Sequence, residues 1–203
     1  MSSFQPPQHA ALVPVNSIVR LSISRCKRSI SIRCSMKKLI PICAFGLLTA
    51  CGPVRFTPTE YPIAKEFITQ IDLNGVIKVT NGQPSEENAT VYSYGGTKLF
   101  STLKILTDSM VQQTIKEIEA HSIQKNNNKT KTIELKVDSL LSKYAFMYWN
   151  STLVFTAKLG NSKTVTKTIL HTSGILQQDL NGCMADGVVQ LLADPEVKAY
   201  FSE

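Results

Sequence analysis

Ile133-Glu134-Leu135-Lys136-Val137-Asp138 decides the fold class. Apolar Ile133, Leu135 and Val137 alternate with charged Glu134, Lys136 and Asp138, so a period of two places one set on each face of an extended chain. That pattern predicts an antiparallel strand with one face on a core and the other in water. Leu153, Phe155, Ala157 and Leu159 repeat it up to a turn signal at Gly160-Asn161-Ser162. On the return strand Val165, Lys167 and Ile169 share one face, and Thr164, Thr166 and Thr168 share the other. Three such strands in succession make a meander.

Downstream, Ile175 to Leu192 reads as a helix, because Leu176, Leu180, Cys183, Gly187 and Leu191 recur at helical spacing. Asp194-Pro195 interrupts it, and Pro195 suits the start of a short terminal helix. Upstream, a helix is expected after Thr107-Asp108-Ser109, with Ser109 and Gln112 as a capping box and Val111, Ile115, Ile118 and Ser122 on one face. Asn126-Asn127-Asn128-Lys129 reads as a polar loop. Ile71 to Thr80 is rich in β-branched residues and ends at Asn81-Gly82, a strong turn signal; Val91 to Gly96 reads as a short strand running into a turn. The expected fold is α+β, an antiparallel sheet with two main helices packed on one face.

A different kind of signal lies at Met36 to Gly52: Met-Lys-Lys-Leu-Ile-Pro-Ile-Cys-Ala-Phe-Gly-Leu-Leu-Thr-Ala-Cys-Gly. Lys37 and Lys38 precede an apolar run, and small residues precede a cysteine, which is the build of a secretory signal. A membrane-spanning helix needs about 20 apolar residues, whereas Leu39 to Ala50 is short and contains Pro41. The ending Leu48-Thr49-Ala50-Cys51 looks like the lipobox of bacterial lipoproteins, in which the cysteine thiol carries diacylglycerol and the leader is cut just before it. Cys51 is therefore the expected lipidation site, bearing covalent diacylglycerol and an N-acyl chain, with no other cofactor.

Composition agrees with a discarded leader. The chain has 203 residues and a net charge of +7, which on its face suggests a nucleic-acid partner. Residues 1–50 hold seven of the 22 basic residues and none of the 15 acidic ones, so fifteen of each remain and no nucleic-acid partner is expected. Of the five cysteines only Cys183 lies beyond Cys51, so neither an internal disulfide nor a zinc cluster is available to the mature chain. Residues 1–35 have the Ser- and Arg-rich composition of a transit peptide, which makes little sense ahead of a lipobox. Translation is expected to begin at Met36, with residues 1–35 a non-native extension or disordered. The expected division is residues 36–50 as signal peptide, 51–62 as lipidated Cys and Pro-rich tether, and 63–203 as a single domain. Pro53, Pro58 and Pro62 forbid helix in the tether and favour an extended spacer.

Short strand, helix, meander and a long helix ending in Leu192-Ala193-Asp194-Pro195-Glu196-Val197, behind a lipobox, resembles the small outer-membrane lipoproteins of the YajG type. The resemblance implies an α/β lipoprotein domain with no known catalytic residue, and carries over Cys51 alone as a functional position. Gly52 rather than Asp after the cysteine implies, by analogy with such lipoproteins, sorting to the outer membrane, where a periplasmic face is expected. Gly182, Gly187 and the aromatic run below have no place in the resemblance.

Chemistry-bearing constellations are sparse. A triad from Ser173 and His171 lacks a Gly-x-Ser-x-Gly elbow, and no His-Glu-x-x-His, phosphate loop or Gly-x-Gly-x-x-Gly is present. Glu86-Glu87 follows Pro84-Ser85 in what reads as a solvated turn. No catalytic, cofactor-binding or metal-binding residue is expected, and the chain is not expected to be an enzyme. The informative segment is Tyr144-Ala145-Phe146-Met147-Tyr148-Trp149, which holds the single Trp. Read as a strand end, either Tyr144, Phe146 and Tyr148 or Ala145, Met147 and Trp149 point inward, and core or hairpin packing explains the run without a partner. Aromatics and Met are also enriched at interfaces, so Tyr144, Phe146, Tyr148 and Trp149 are the candidate interaction residues. The expected function is a membrane-anchored binding or assembly module that meets another envelope protein. The alternative is a carrier or chaperone for a lipid-like ligand, which needs an apolar cavity between helices and sheet.

Overall fold

Ile133, Leu135 and Val137 are wholly buried, and so are their cross-strand partners Leu159, Ala157 and Phe155. The computed structural model to which they belong describes residues 52–203, apart from the side chains of residues 126–128. The expected signal peptide (residues 36–50), the expected extension before it and the expected lipidation site Cys51 lie outside the described residues. The elements run β1 (Val54–Arg55), β2 (Ile71–Asn81), β3 (Asn88–Tyr94), β4 (Thr97–Thr102), α1 (Leu103–His121), β5 (Ser122–Ala145), β6 (Tyr148–Leu159), β7 (Thr164–Ser173), α2 (Leu176–Ala193) and α3 (Pro195–Ser202).

The fold is α+β, with the strands in one seven-stranded sheet ordered β1-β4-β3-β5-β6-β7, and β2 paired with β5 beside that path. Strands β5, β6 and β7 form the expected antiparallel meander. The sheet as a whole is mixed rather than antiparallel, because β1 runs parallel to β4, and both β2 and β3 run parallel to β5. The cause is the crossover: β4 and α1 intervene between β3 and β5 and return the chain in the same direction. Both long helices cover one face. The space beside Gly187 of α2 is closed by Leu153 of β6 and Met110 of α1, and a Cβ there would stand 2.7 Å from Leu153 Cδ2.

Local chemistry moves three expected boundaries. Helix α1 starts at Leu103, because the Thr102 side chain caps it by accepting from the Ile105 N–H at 3.2 Å; Thr107 then bonds back to the Leu103 carbonyl inside the helix. Asn126 to Lys129 is part of β5 rather than a loop, because β2 pairs with the strand on either side, at Asn126 and again from Thr130. Asn74 and Val76 of β2 face Asn126 and Thr130, so the extra residues of β5 are taken up in a bulge. Gly75 sits there at φ +124°, with the Lys129 carbonyl oxygen 2.6 Å from where a Cβ would be, so only glycine fits. Asn81-Gly82 does not make a hairpin. Asn81 accepts from the Gln83 N–H and donates to the Lys104 carbonyl and Asp108, while the Gly82 N–H donates to the Leu135 carbonyl, so the chain continues along the β5 edge.

The Pro-rich segment is extended, as its prolines require, and lies against the domain. Phe56 is buried, and its N–H donates to the Phe100 carbonyl at 2.7 Å. Asn181 of α2 both accepts from the Thr59 N–H and donates to the Thr59 hydroxyl, and Gln113 of α1 donates to the Tyr61 carbonyl. Helix α3 begins where Pro195 was expected, capped by the Asp194 carboxylate, which also holds Lys167 of β7 at 2.5 Å. Burial works against charge on Asp194, but Lys167 and the Glu196 and Val197 N–H groups outweigh it and hold its carboxyl below the usual range.

Candidate functional site

Phe146 and Met147 are the two residues of the β5–β6 turn, flanked by the cross-strand pairs Ala145–Tyr148 and Tyr144–Trp149. A turn of this length favours Asn-Gly or Asp-Gly. Here it carries two large apolar side chains that are 83% and 73% exposed, and Met147 has φ +72°, a conformation that costs a non-glycine residue about 1–2 kcal/mol. The chain reversal also breaks the parity expected of a single strand. Tyr144 and Trp149 share a face because they are cross-strand partners, with ring centroids 5.3 Å apart.

Three sheet elements meet around this hairpin. The Tyr94 ring, at the end of β3, lies 4.9 Å from that of Tyr144, and the Tyr144 hydroxyl accepts from the Met147 N–H at 3.3 Å. Tyr94 leads into Gly95-Gly96, both at positive φ, which make the tight β3–β4 turn. Trp149 pairs with Ser173 at the end of β7, and its indole N–H is buried with no hydrogen-bond partner among the described residues. Tyr94, Tyr144, Trp149 and Ser173 therefore form one row across the end of the sheet.

The row rests on a buried carboxyl. Ser142 and Ser151, the next pair down on the same face, both donate to Oδ2 of Asp179 in the first turns of α2, at 2.9 and 2.5 Å. Asp179 is fully buried and its Oδ1 has no partner among the described residues. Burial pushes its carboxyl above the usual range; the two hydroxyls and the charge of His171 pull the other way but do not cancel it. The Asp179 cluster pins α2 to both strands of the hairpin just below the aromatic row. It is a positioning device, since Ser151 is itself buried and no serine hydroxyl hydrogen-bonds His171 among the described residues. His171 instead holds Asp186 through Nδ1 at 2.7 Å, with its ring against Gly182.

The remaining candidates sort simply. Glu86 is exposed and pairs with Lys104. Cys183 is buried, and burial pushes its thiol up to about 12, which makes it a poor nucleophile. No cluster of three metal-ligating side chains occurs among the described residues. A groove of about 460 Å³ runs between β7 and α2, bordered by Phe67, Ile169, Asp186 and Val189, and one of about 320 Å³ between β1 and the start of α2, bordered by Val54, Leu99 and Leu176. Both are surface grooves rather than core cavities. The run Tyr144 to Trp149 was legible as a candidate from its composition; the contribution of Tyr94 was not, because its alignment depends on the parallel β3–β5 pairing. No family model matches this chain, and among curated proteins none matches it at a significant level.

Proposed function

We propose that the protein is a lipid-anchored lipoprotein of the bacterial outer membrane, facing the periplasm, that works as a non-catalytic binding module. The anchoring half of this reading rests on Leu48-Thr49-Ala50-Cys51 behind a Lys-Lys start. Two or more acyl chains on Cys51 hold a protein at a bilayer stably where one does not.

The observation that carries the binding half is the Phe146-Met147 turn. A hairpin that had only to fold would place polar residues or glycine there, whereas this one exposes two large apolar groups over a braced aromatic row. A packed core with an exposed aromatic end favours an interaction module; a ligand carrier would need an apolar cavity between the helices and the sheet. Strand β7, the free end of the strand order, offers ten residues of backbone edge to a second envelope protein.

The test is a photoreactive residue placed at position 147 in the native protein, irradiated in cells, with position 158 at the opposite end of the hairpin as control. A discrete adduct at 147 and none at 158 is expected. Equal labelling of the two positions contradicts a binding role for the turn.

A further inference from the structure

The strand register brings Gly52, the first described residue, to the same end of the sheet as the aromatic turn. Val54 of β1 pairs in parallel with Leu99, so Gly52 lies level with the start of β4 at Thr97. Thr97 pairs with Tyr94, the Tyr94 ring meets that of Tyr144, and Tyr144 stands two residues before Phe146 of the turn. Cys51 is one peptide bond before Gly52. Strand β1 is three places from β5 in the sheet, about 15 Å at the usual strand spacing. A bilayer that holds the acyl chains of Cys51 is therefore within reach of the turn.

The chemistry of this end suits a bilayer surface. Val54, Tyr94, Phe146, Met147, Tyr148 and Ile175 are all exposed large apolar side chains, and all lie at this end. The segments that build its surface, residues 52–59, 90–99, 140–151 and 172–178, carry Arg55, Lys98 and Lys143 and no acidic residue, and the one carboxyl beneath them, Asp179, is fully buried. Everything after residue 50 is formally neutral, so this concentration of positive charge is local. Lys98 and Lys143 form no ion pair among the described residues. Apolar tips ringed by Tyr and Trp, with cations just behind, are what an interface of acyl chains and anionic headgroups accepts.

We propose that the Phe146-Met147 turn inserts into an anionic phospholipid surface as a second membrane contact beside acylated Cys51. The turn and the anchor thereby fix the orientation of the domain, with the β5–β6 turn towards the bilayer and the far end of the meander, at Gly160 to Lys163, pointing away. This inference rests on the lipoprotein reading and names the partner of its aromatic surface.

The chain supplies its own reporter, since Trp149 is its single tryptophan and sits two residues beyond the turn. Native protein purified from membranes is placed in vesicles of phosphatidylethanolamine and phosphatidylglycerol with brominated acyl chains. Trp149 emission is expected to shift to shorter wavelength and fall at least about twofold, as for an indole at the headgroup level. The Phe146→Asn, Met147→Gly double variant is expected to stay with the vesicles through Cys51 and lose the quenching. Trp149 unquenched in the native protein, or quenched equally in the double variant, overturns the inference, as does a photoadduct at position 147 that proves to be protein. Mass measurement of the same preparation reads Cys51 acylation separately, so an acylated protein with unquenched Trp149 sinks only the insertion, and an unacylated one sinks the anchor.

Discussion

The Tyr94 ring lies 4.9 Å from the Tyr144 ring and ties the β3–β4 turn to the β5–β6 hairpin. Tyr144 also packs at a tilt against Trp149 and accepts from the Met147 N–H, so one side chain braces both turns at this end of the sheet. Each aromatic pair contributes about 0.5–1.5 kcal/mol beyond burial. Tyr144→Ala is expected to lower stability by about 1–3 kcal/mol in urea denaturation, and Tyr144→Phe by less than about 1 kcal/mol. Equal losses in the two variants would mean that the hydroxyl, not the ring, braces the turn.

The turn itself is expected to be dispensable for folding. Met147→Gly relieves the left-handed backbone of Met147, and Phe146→Asn restores a residue that turns favour. The double variant should lose no more than about 0.5 kcal/mol of stability and should show cooperative unfolding. A loss several times larger would show that Phe146 and Met147 serve the fold.

Burial of Asp179 makes stability pH-dependent in a defined direction. Its folded carboxyl titrates above the unfolded value of about 3.9, so as pH rises the unfolded chain loses the proton first and gains stability relative to the folded one. The contribution of Asp179 is therefore greatest below about pH 4 and falls as pH rises through its folded titration. Asp179→Asn removes that slope. Urea midpoints of the two proteins, compared from pH 4 to 8, should diverge in favour of the variant as pH rises. A constant offset across the range would mean that Asp179 is ionised in the fold at all these pH values.

Cys183 should be silent towards thiol reagents. Its thiol is held at about 12, fully buried against the Ile169 carbonyl. Peptide mapping after iodoacetamide treatment at pH 8 should find it unmodified in the native protein and modified after denaturation. Labelling at comparable rates in both states would contradict the buried site.

The parts of the fold that were legible in the sequence are those in which one chain segment carries its own pattern. Ile133 to Val137 and Leu153 to Leu159 each show a clean period, because each packs one face on the core and turns the other outward, whereas Leu176 to Leu191 keeps helical spacing although residues 179–185 are buried on every side. Pro195 marked the start of α3 through its fixed φ and missing N–H. The illegible parts depend on a distant partner. Asn126 to Lys129 looks like a loop because its residues are polar, but β2 pairs with the strand at Asn126 and from Thr130 onward, which carries β5 across it. Asn81-Gly82 carries a hairpin signal, but its hydrogen bonds go to Leu135, Lys104 and Asp108. The parallel pairings follow from the β4–α1 crossover, and no local period encodes a crossover. The aromatic run was visible as composition, whereas its alignment with Tyr94 and with the start of the described chain emerges only from the register of β1, β4 and β3.

The central claim is that this domain is held at a membrane through Cys51, at the end of the sheet where its aromatic turn lies. Intact mass and N-terminal peptide mapping of the protein extracted from native membranes test it most directly. The account predicts a chain beginning at Cys51 that carries diacylglycerol, with or without an N-acyl chain. An unmodified chain beginning at Met1 would contradict it.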